Sequence, residues 1–182
     1  MFIQTEQTPN PATLKFIPGE MVLENGTMFF ENVTEAEQSP LALALFKIEG
    51  VSAVFFGSDF ITVENEAQDW DTLKPVILGT IMEHYTAGLP IVTGEATQEI
   101  ADDGADPEIV EQIKELLETR VRPAVARDGG DITYHGFRDG VVYLRMQGAC
   151  SGCPSSTATL KHGIQNLLKH YIPEVESVEP VD

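Results

Sequence analysis

The hydrophobic and polar positions of the first half of the chain predict a set of short strands with two helices. Short apolar or alternating runs, bounded by Pro, Gly and Asn, are typical of strands. One helix is predicted to start at Ser39, with Pro40 in its first turn, and a second to run from about Asp71 or Thr72 to Thr86. The predicted strands are Phe2–Glu6, Thr13–Ile17, Thr27–Glu31, Val51–Phe56 and Phe60–Glu64. This pattern indicates a small α+β domain over about residues 1–87.

The second half of the chain is also predicted to combine helices and strands, but in a different order. A helix is predicted from Asp106 and Pro107 onwards, and Asp139-Gly140 predicts a tight hairpin. The remaining predicted elements are strands 132–137, 141–146 and 175–181 and a helix over about 157–170. The order is therefore helix, strand, strand, CxxC, helix, strand over residues 107–182. Residues 88–106 are rich in Gly, Thr and acidic residues without a period, which predicts a flexible acidic linker between two small α+β domains.

Charge and composition narrow the classes of function. The chain has 182 residues and a formal net charge of −18, which disfavours binding to nucleic acid. No apolar run approaches the length that a membrane span requires. The first residues resemble neither a signal peptide nor a transit peptide, so we expect a cytoplasmic protein. In a reducing compartment, a CxxC motif is more often a metal or redox site than a structural bridge.

Both cysteines of the chain lie in one short stretch, Gly148 to Ser156. Cys150 and Cys153 are the only thiols available to a soft metal or a redox step. A predicted strand leads into the stretch and a predicted helix leads out of it. The flanking glycines and serines predict an exposed turn, and the start of a helix favours thiolate over thiol.

Three interpretations of the thiol pair need only one chain. The cysteines are a buried or disulfide-bonded structural pair, a thioredoxin-like dithiol, or half of a zinc site. The redox interpretation is disfavoured because the preceding strand is predicted to come from a hairpin and not from a β-α-β crossover. Zinc needs two further ligands from the histidines, and none of these forms the usual H-x₃₋₅-H pair. The histidines are His84, His135, His162 and His170.

A fourth interpretation is an iron–sulfur cluster shared by two chains. Such clusters usually need four thiolates, and one chain supplies two. A two-fold interface presents the same patch from both subunits, so a second copy completes the ligand set. A cluster held in this way is easier to release than one enclosed by a single chain.

Three motifs in the second half resemble the C-terminal domain of NifU-like (Nfu-type) proteins. They are the runs Arg122–Asp131, Gly148–Ser156 and Thr159–Ile164, which occur in the order typical of that family. The start of the chain, Phe2–Glu6 with Thr8–Pro11 and Leu14–Phe16, is similar to the N-terminal domain that accompanies this module.

The resemblance implies an iron–sulfur carrier and not an enzyme. Cys150 and Cys153 fall on the family's ligand positions, and two copies would hold one [4Fe–4S] cluster, with a [2Fe–2S] form also open. The implied partners are a second copy of the chain, apo client proteins and an upstream assembly scaffold. The absence of a transit peptide favours a bacterial member. A thioredoxin-like redox protein and a pure interaction module remain the alternatives.

Overall fold

The computed structural model describes residues 1–67, 69–93, 106–151 and 154–181, and at residues 154–156 the backbone alone. The chain divides into two compact units, Met1–Thr97 and Gln98–Asp182. Each unit combines one sheet with helices, which confirms the predicted α+β class. No helix of the described residues is long and apolar enough to cross a membrane.

The first unit is built on a five-stranded sheet in the order β1-β2-β5-β4-β3, in which every neighbouring pair is antiparallel. A short 3-10 helix, Glu35–Gln38, precedes α1. The elements are β1 Gln4–Gln7, β2 Thr13–Ile17, β3 Met28–Phe30, α1 Pro40–Phe46, β4 Ala53–Phe56, β5 Ile61–Glu64 and α2 Trp70–Thr86. The predicted elements are all present, with ends that differ by a few residues.

Aromatic and aliphatic side chains from the sheet and both helices form the core of this unit. Phe30 and Phe56 pack edge to face, with ring centroids 5.3 Å apart. Leu45 of α1 and Ile77 of α2 are fully buried in the same cluster. The predicted cap of α1 is confirmed, since the Ala42 N–H donates to Ser39 Oγ at 3.0 Å. Burial of apolar area from the sheet and both helices therefore holds this unit together.

Hydrogen bonds to the rest of the unit fix both ends of α2. At its start, Asp69 accepts from the Thr72 N–H at 3.3 Å, and Trp70 Nε1 donates to the Pro11 carbonyl at 3.1 Å. At its end, the Tyr85 hydroxyl donates to the Met21 carbonyl at 3.2 Å. The helix is thus held in place from both ends as well as from its buried side.

The first residues of the predicted linker contact the first unit. The Thr93 N–H donates to the Gln38 carbonyl at 2.8 Å, and the Ser39 hydroxyl donates to the Ile91 carbonyl. Ile91 and Val92 pack against the core. The structure therefore differs from the predicted start of the linker, because apolar side chains and backbone groups of residues 89–93 find partners here. Residues 94–105 of the predicted linker lie outside the described residues.

The second unit contains a three-stranded sheet in the order β6-β7-β8. Its first two strands are antiparallel, whereas β7 and β8 are parallel. The elements are α3 Pro107–Leu116, α4 Arg122–Arg127, β6 Gly130–Arg138, β7 Val141–Gly148, α5 Pro154–Tyr171 and β8 Ser177–Val181. The predicted order of elements is confirmed, including the pairing of the last strand with the hairpin.

Two local features of this unit follow from single residues. A π-helical turn, Leu117–Val121, separates α3 from α4. Pro123 directly follows this wider turn, in which the Arg122 N–H donates to the Leu117 carbonyl, so the helical path continues past the proline to Arg127. Asp139 and Gly140 both have positive φ, 51° and 77°, as a two-residue hairpin requires.

Glycine substitutions in the first unit test which positions its fold needs. A Cβ at Gly79, in the middle of α2, meets nothing within 4 Å, so Gly79→Ala is expected to raise the free energy of unfolding by about 0.5–1 kcal/mol. A Cβ at Gly57 lies 2.2 Å from the buried Phe60 ring, so Gly57→Ala is expected to lower it by about 1–3 kcal/mol. Urea unfolding followed by fluorescence of Trp70, the one tryptophan of the chain, reports on this unit alone. Equal shifts for the two variants would contradict the packing described.

Candidate metal centre

The candidate site is the turn between β7 and α5, which carries Cys150. Gly148 adopts a positive φ of 62°, and the chain reverses there. The Ser151 N–H and hydroxyl both donate to the Gly148 carbonyl, at 3.0 and 2.8 Å. The Ala149 N–H donates to the Gly129 carbonyl at 3.2 Å, which joins this turn to the turn before β6. Backbone hydrogen bonds therefore fix the position of Cys150 before any side chain is considered.

Cys150 is a free thiol with only 5% of its surface exposed, and it packs in the core of the second unit. The sequence prediction of an exposed turn is therefore wrong at this residue. Burial raises the pKa of Cys150 to about 12, and the nearby carboxylates of Asp131 and Asp128 act in the same direction. The expectation that the helix start favours the thiolate is wrong here too, because burial disfavours the charged form of this thiol. Cys153 lies outside the described residues, so its role as the second thiol of the pair stays a prediction.

Gly130 forms the wall behind the Cys150 thiol. A Cβ at this position would lie 2.4 Å from Cys150 Sγ and 2.8 Å from the Cys150 backbone nitrogen. Gly129, by contrast, has a positive φ of 81° and supplies the turn before β6. The two neighbouring glycines thus serve different needs, one the backbone conformation and the other the close approach of the thiol.

An ion pair links the two ends of the Arg122–Asp131 motif. Arg122 Nε and Nη2 donate to the two oxygens of Asp131, at 2.8 and 2.7 Å, and Nη1 pairs with Glu118. The Asp131 side chain is only 4% exposed, and its Oδ1 also accepts from the Ile132 N–H. The hydrogen bonds to Asp131 raise the pKa of Arg122 further above its usual range. Arg122 therefore holds α4 against the start of β6, and this role was missed because no local pattern in the sequence signals it.

The four histidines do not come together at this turn. His84 belongs to the first unit, where its Nε2 lies 3.1 Å from the Pro90 carbonyl oxygen. His135 is half-buried at the bulge of β6, and His162 and His170 are exposed on α5. Among the described residues, no three His, Cys, Asp or Glu side chains form a group that could hold a metal ion.

The pairing of the strands around the turn tests the sequence argument against the redox interpretation. β7 does leave the tight hairpin with β6, as predicted, but it also pairs in parallel with β8 through α5. The turn therefore lies inside a β-α-β unit, and the sequence argument against that context does not hold. The raised pKa of Cys150 disfavours this residue as the attacking thiol of a dithiol catalyst, because thiol–disulfide exchange needs a thiolate.

The fold and the site define a class of protein with two α+β units, of which the second presents a thiol in a glycine-backed turn after a β-hairpin. Two family models match the chain: the Nfu/NifU N-terminal scaffold domain at residues 3–88 and the NifU-like domain at residues 113–179. The chain belongs to the Nfu family of NifU-like proteins.

The chain is similar to curated proteins that are described as "NFU1 iron-sulfur cluster scaffold homolog, mitochondrial". It is 59% identical to the one from Homo sapiens and 55% identical to the one from Drosophila ananassae, in both cases over all of this chain. It spans 72% and 64% of the lengths of these two relatives. A solution structure of a NifU-like protein from Saccharomyces cerevisiae covers 52% of this chain and 87% of its own, with 25% identity and a TM-score of 0.47.

The burial of Cys150 predicts that its thiol reacts slowly with alkylating reagents. In Cys153→Ser, Cys150 is the only thiol, and its alkylation by iodoacetamide should be slow at pH 8 and should still be rising at pH 10, because its pKa is about 12. The same variant unfolded in urea is the control and should react at the rate of an ordinary thiol. A folded protein that reacts as fast as the unfolded one at pH 8 would refute the burial of Cys150.

Because of the ion pair, replacing Arg122 should lower stability much more than replacing the neighbouring Arg120. Arg122→Ala leaves the buried Asp131 carboxylate without its main partner and should destabilise the second unit by about 3 kcal/mol. Arg120→Ala removes an exposed arginine of the adjacent helical turn and should change stability by less than about 0.5 kcal/mol. Amide hydrogen exchange of β6 and β7 measures both variants, and a similar change in the two would count against the pair.

Proposed function

We propose that this protein is an iron–sulfur cluster carrier that binds its cluster through Cys150 and Cys153 of two copies of the chain. The observation that carries the proposal is the Cys150 thiol, which lies in a backbone-fixed turn with Gly130 directly behind it. The membership of both units in scaffold families supports the same conclusion. The relatives are named as mitochondrial, and the bacterial cytoplasm predicted from the sequence stays a prediction.

Counting ligands supports a site shared between two chains. A [4Fe–4S] cluster needs four thiolates, and each copy contains two cysteines. A homodimer related by a two-fold axis presents the same turn twice, so the two motifs together complete the set. A [2Fe–2S] cluster has the same ligand count and is a second form that the site would accept.

The chemistry is ligand exchange and needs no catalytic acid or base. Iron binds the thiolate, so Cys150 gives up its proton when the cluster arrives and takes one up when client thiolates replace it on iron. The environment of the empty site favours the protonated, buried thiol. Return of Cys150 to this state therefore favours release of the cluster to an apo client protein.

Anaerobic reconstitution with ferrous iron and sulfide tests the proposal. We expect about four iron and four sulfide per two chains, visible absorption of a thiolate-bound cluster, and a dimer by sedimentation. Cys150→Ser and Cys153→Ser should each abolish the absorption. His162→Ala, which removes an exposed imidazole from α5, is the control and should leave the iron content unchanged.

Two results would overturn the proposal. One is a colourless monomer after reconstitution. The other is a full cluster content in either cysteine variant. Reduction of insulin disulfides by the wild-type chain that is lost in Cys150→Ser would instead establish the redox alternative.

A further inference from the structure

The solvent side of α2, in the first unit, combines two charged residues with exposed apolar ones. We define the α2 face as the exposed positions between the exposed Asp71 and Glu83, which are Thr72, Pro75, Val76, Gly79 and Met82. Val76 and Met82 are 50% and 42% exposed. The opposite side of the helix is apolar, with Leu73, Ile77 and Ile81 buried in the core. Exposed apolar side chains that are flanked by charged residues are typical of a contact surface for another protein.

Hydroxyl groups do little to make this side of α2 polar. The Thr80 hydroxyl donates to the Val76 carbonyl at 3.0 Å, and the Thr86 hydroxyl donates to the Met82 carbonyl at 2.7 Å. Because these donors already have partners within the helix, covering them by another protein leaves no donor unsatisfied.

Gly79 lies at the centre of the α2 face, and no feature of the fold requires a glycine at this position. Glycine inside a helix costs about 0.5–1 kcal/mol relative to alanine. No positive φ requires glycine here, and a Cβ at this position meets nothing within 4 Å. The gap between Val76 and Met82 therefore remains open to solvent. A glycine at such a place lets another chain approach the helix backbone closely.

The exposed charges at the two ends of the α2 face are negative, whereas Lys74 of the same helix is only partly exposed. The only charged residues among the exposed positions of α2 are Asp71, in its first turn, and Glu83, in its last. Residues 1–93 contain thirteen Asp and Glu against three lysines and no arginine. A second copy of the same face would meet like charge, whereas a cationic partner would meet opposite charge at both ends of the helix.

We propose that the α2 face is a docking site for a basic amphipathic helix of a partner protein. The apolar side of the partner helix lies over Gly79 between Val76 and Met82, and its lysines or arginines face Asp71 and Glu83. Met82 suits such a site because its flexible, polarizable side chain adapts to different apolar surfaces. This inference is independent of the thiol pair and of the proposed cluster.

The size of the site indicates a short-lived complex. A helix of 17 residues is about 25 Å long, and one helix face buries less than the area of a stable interface. The surrounding negative charge would speed association with a cationic partner, especially at low salt. Rapid exchange of partners is what a protein that serves several others requires.

A synthetic peptide tests the site on the full-length chain without cluster. The probe is a capped amphipathic peptide of about 18 residues with Leu and Ala on one face and Lys on the other. A scrambled peptide of the same composition has the same charge without the apolar stripe. We expect the amphipathic peptide to bind at least about tenfold more tightly by fluorescence anisotropy. Its amide chemical-shift changes should centre on residues 72–83.

Two glutamate variants of equal net charge separate apolar docking from charge attraction. Met82→Glu places a carboxylate on the α2 face, and Val33→Glu places one in the turn after β3, at an apolar residue that is 55% exposed. Charge attraction alone predicts that both variants bind the peptide as well as the wild type or better. The proposal predicts that Met82→Glu weakens binding about tenfold or more and that Val33→Glu does not.

A third variant links binding to the gap at Gly79. Gly79→Leu fills open space, so Trp70 fluorescence in urea should report a stable first unit while peptide binding falls about tenfold. Three outcomes overturn the proposal: equal binding of the two peptides, equal binding by Met82→Glu and Val33→Glu, and a cluster-free dimer that Met82→Glu dissociates. The last outcome would assign the α2 face to a second copy of the chain.

Discussion

The approach of Gly130 to the Cys150 thiol is the constraint on which the second unit depends. It brings the turn before β6 within van der Waals reach of the turn after β7, at a distance that excludes any side chain on Gly130. The hydrogen bond from the Ala149 N–H to the Gly129 carbonyl holds the same two turns together. Arg122 and Asp131 then fix α4 to the first residues of β6. The thiol is thus positioned by residues of α4 and β6 and by the turn before β6, although it lies in none of them.

The sequence predicts the order of the elements because their signals are local. The pair Asp139-Gly140 specifies its hairpin, and Ser39 with Pro40 specifies the start of α1. Periodicity over many residues specifies α2 and α5. A proline inside a helical pattern usually ends or kinks the helix, whereas here a π-helical turn accommodates Pro123 within a longer helical path. In these places, backbone chemistry and short-range pattern decide the outcome.

The environment of the site could not be predicted in the same way. The glycines beside Cys150 predicted an exposed thiol. In the structure, the turn of Gly129 and Gly130, twenty residues earlier in the chain, lies against the thiol, and Cys150 is buried. The contact between Arg122 and Asp131 depends on the packing of a helix against a strand, so no spacing of residues in the sequence predicts it. Glycines at both turns were the available signal, because paired glycines at two distant turns are compatible with close approach of one turn to the other. The family resemblance supplied the role of the cysteines but not their surroundings.

The burial of Cys150 also has a consequence for an empty carrier in an oxidising environment. Peroxides attack the thiolate, and further oxidation to sulfinic and sulfonic acids is irreversible or nearly so. A neutral thiol within the core, with 5% of its surface exposed, offers such reagents little access. In the proposed carrier, Cys150 would therefore be shielded from oxidants while no cluster is bound, and the more accessible sulfur atoms of Met21 and Met82 should be oxidised before it.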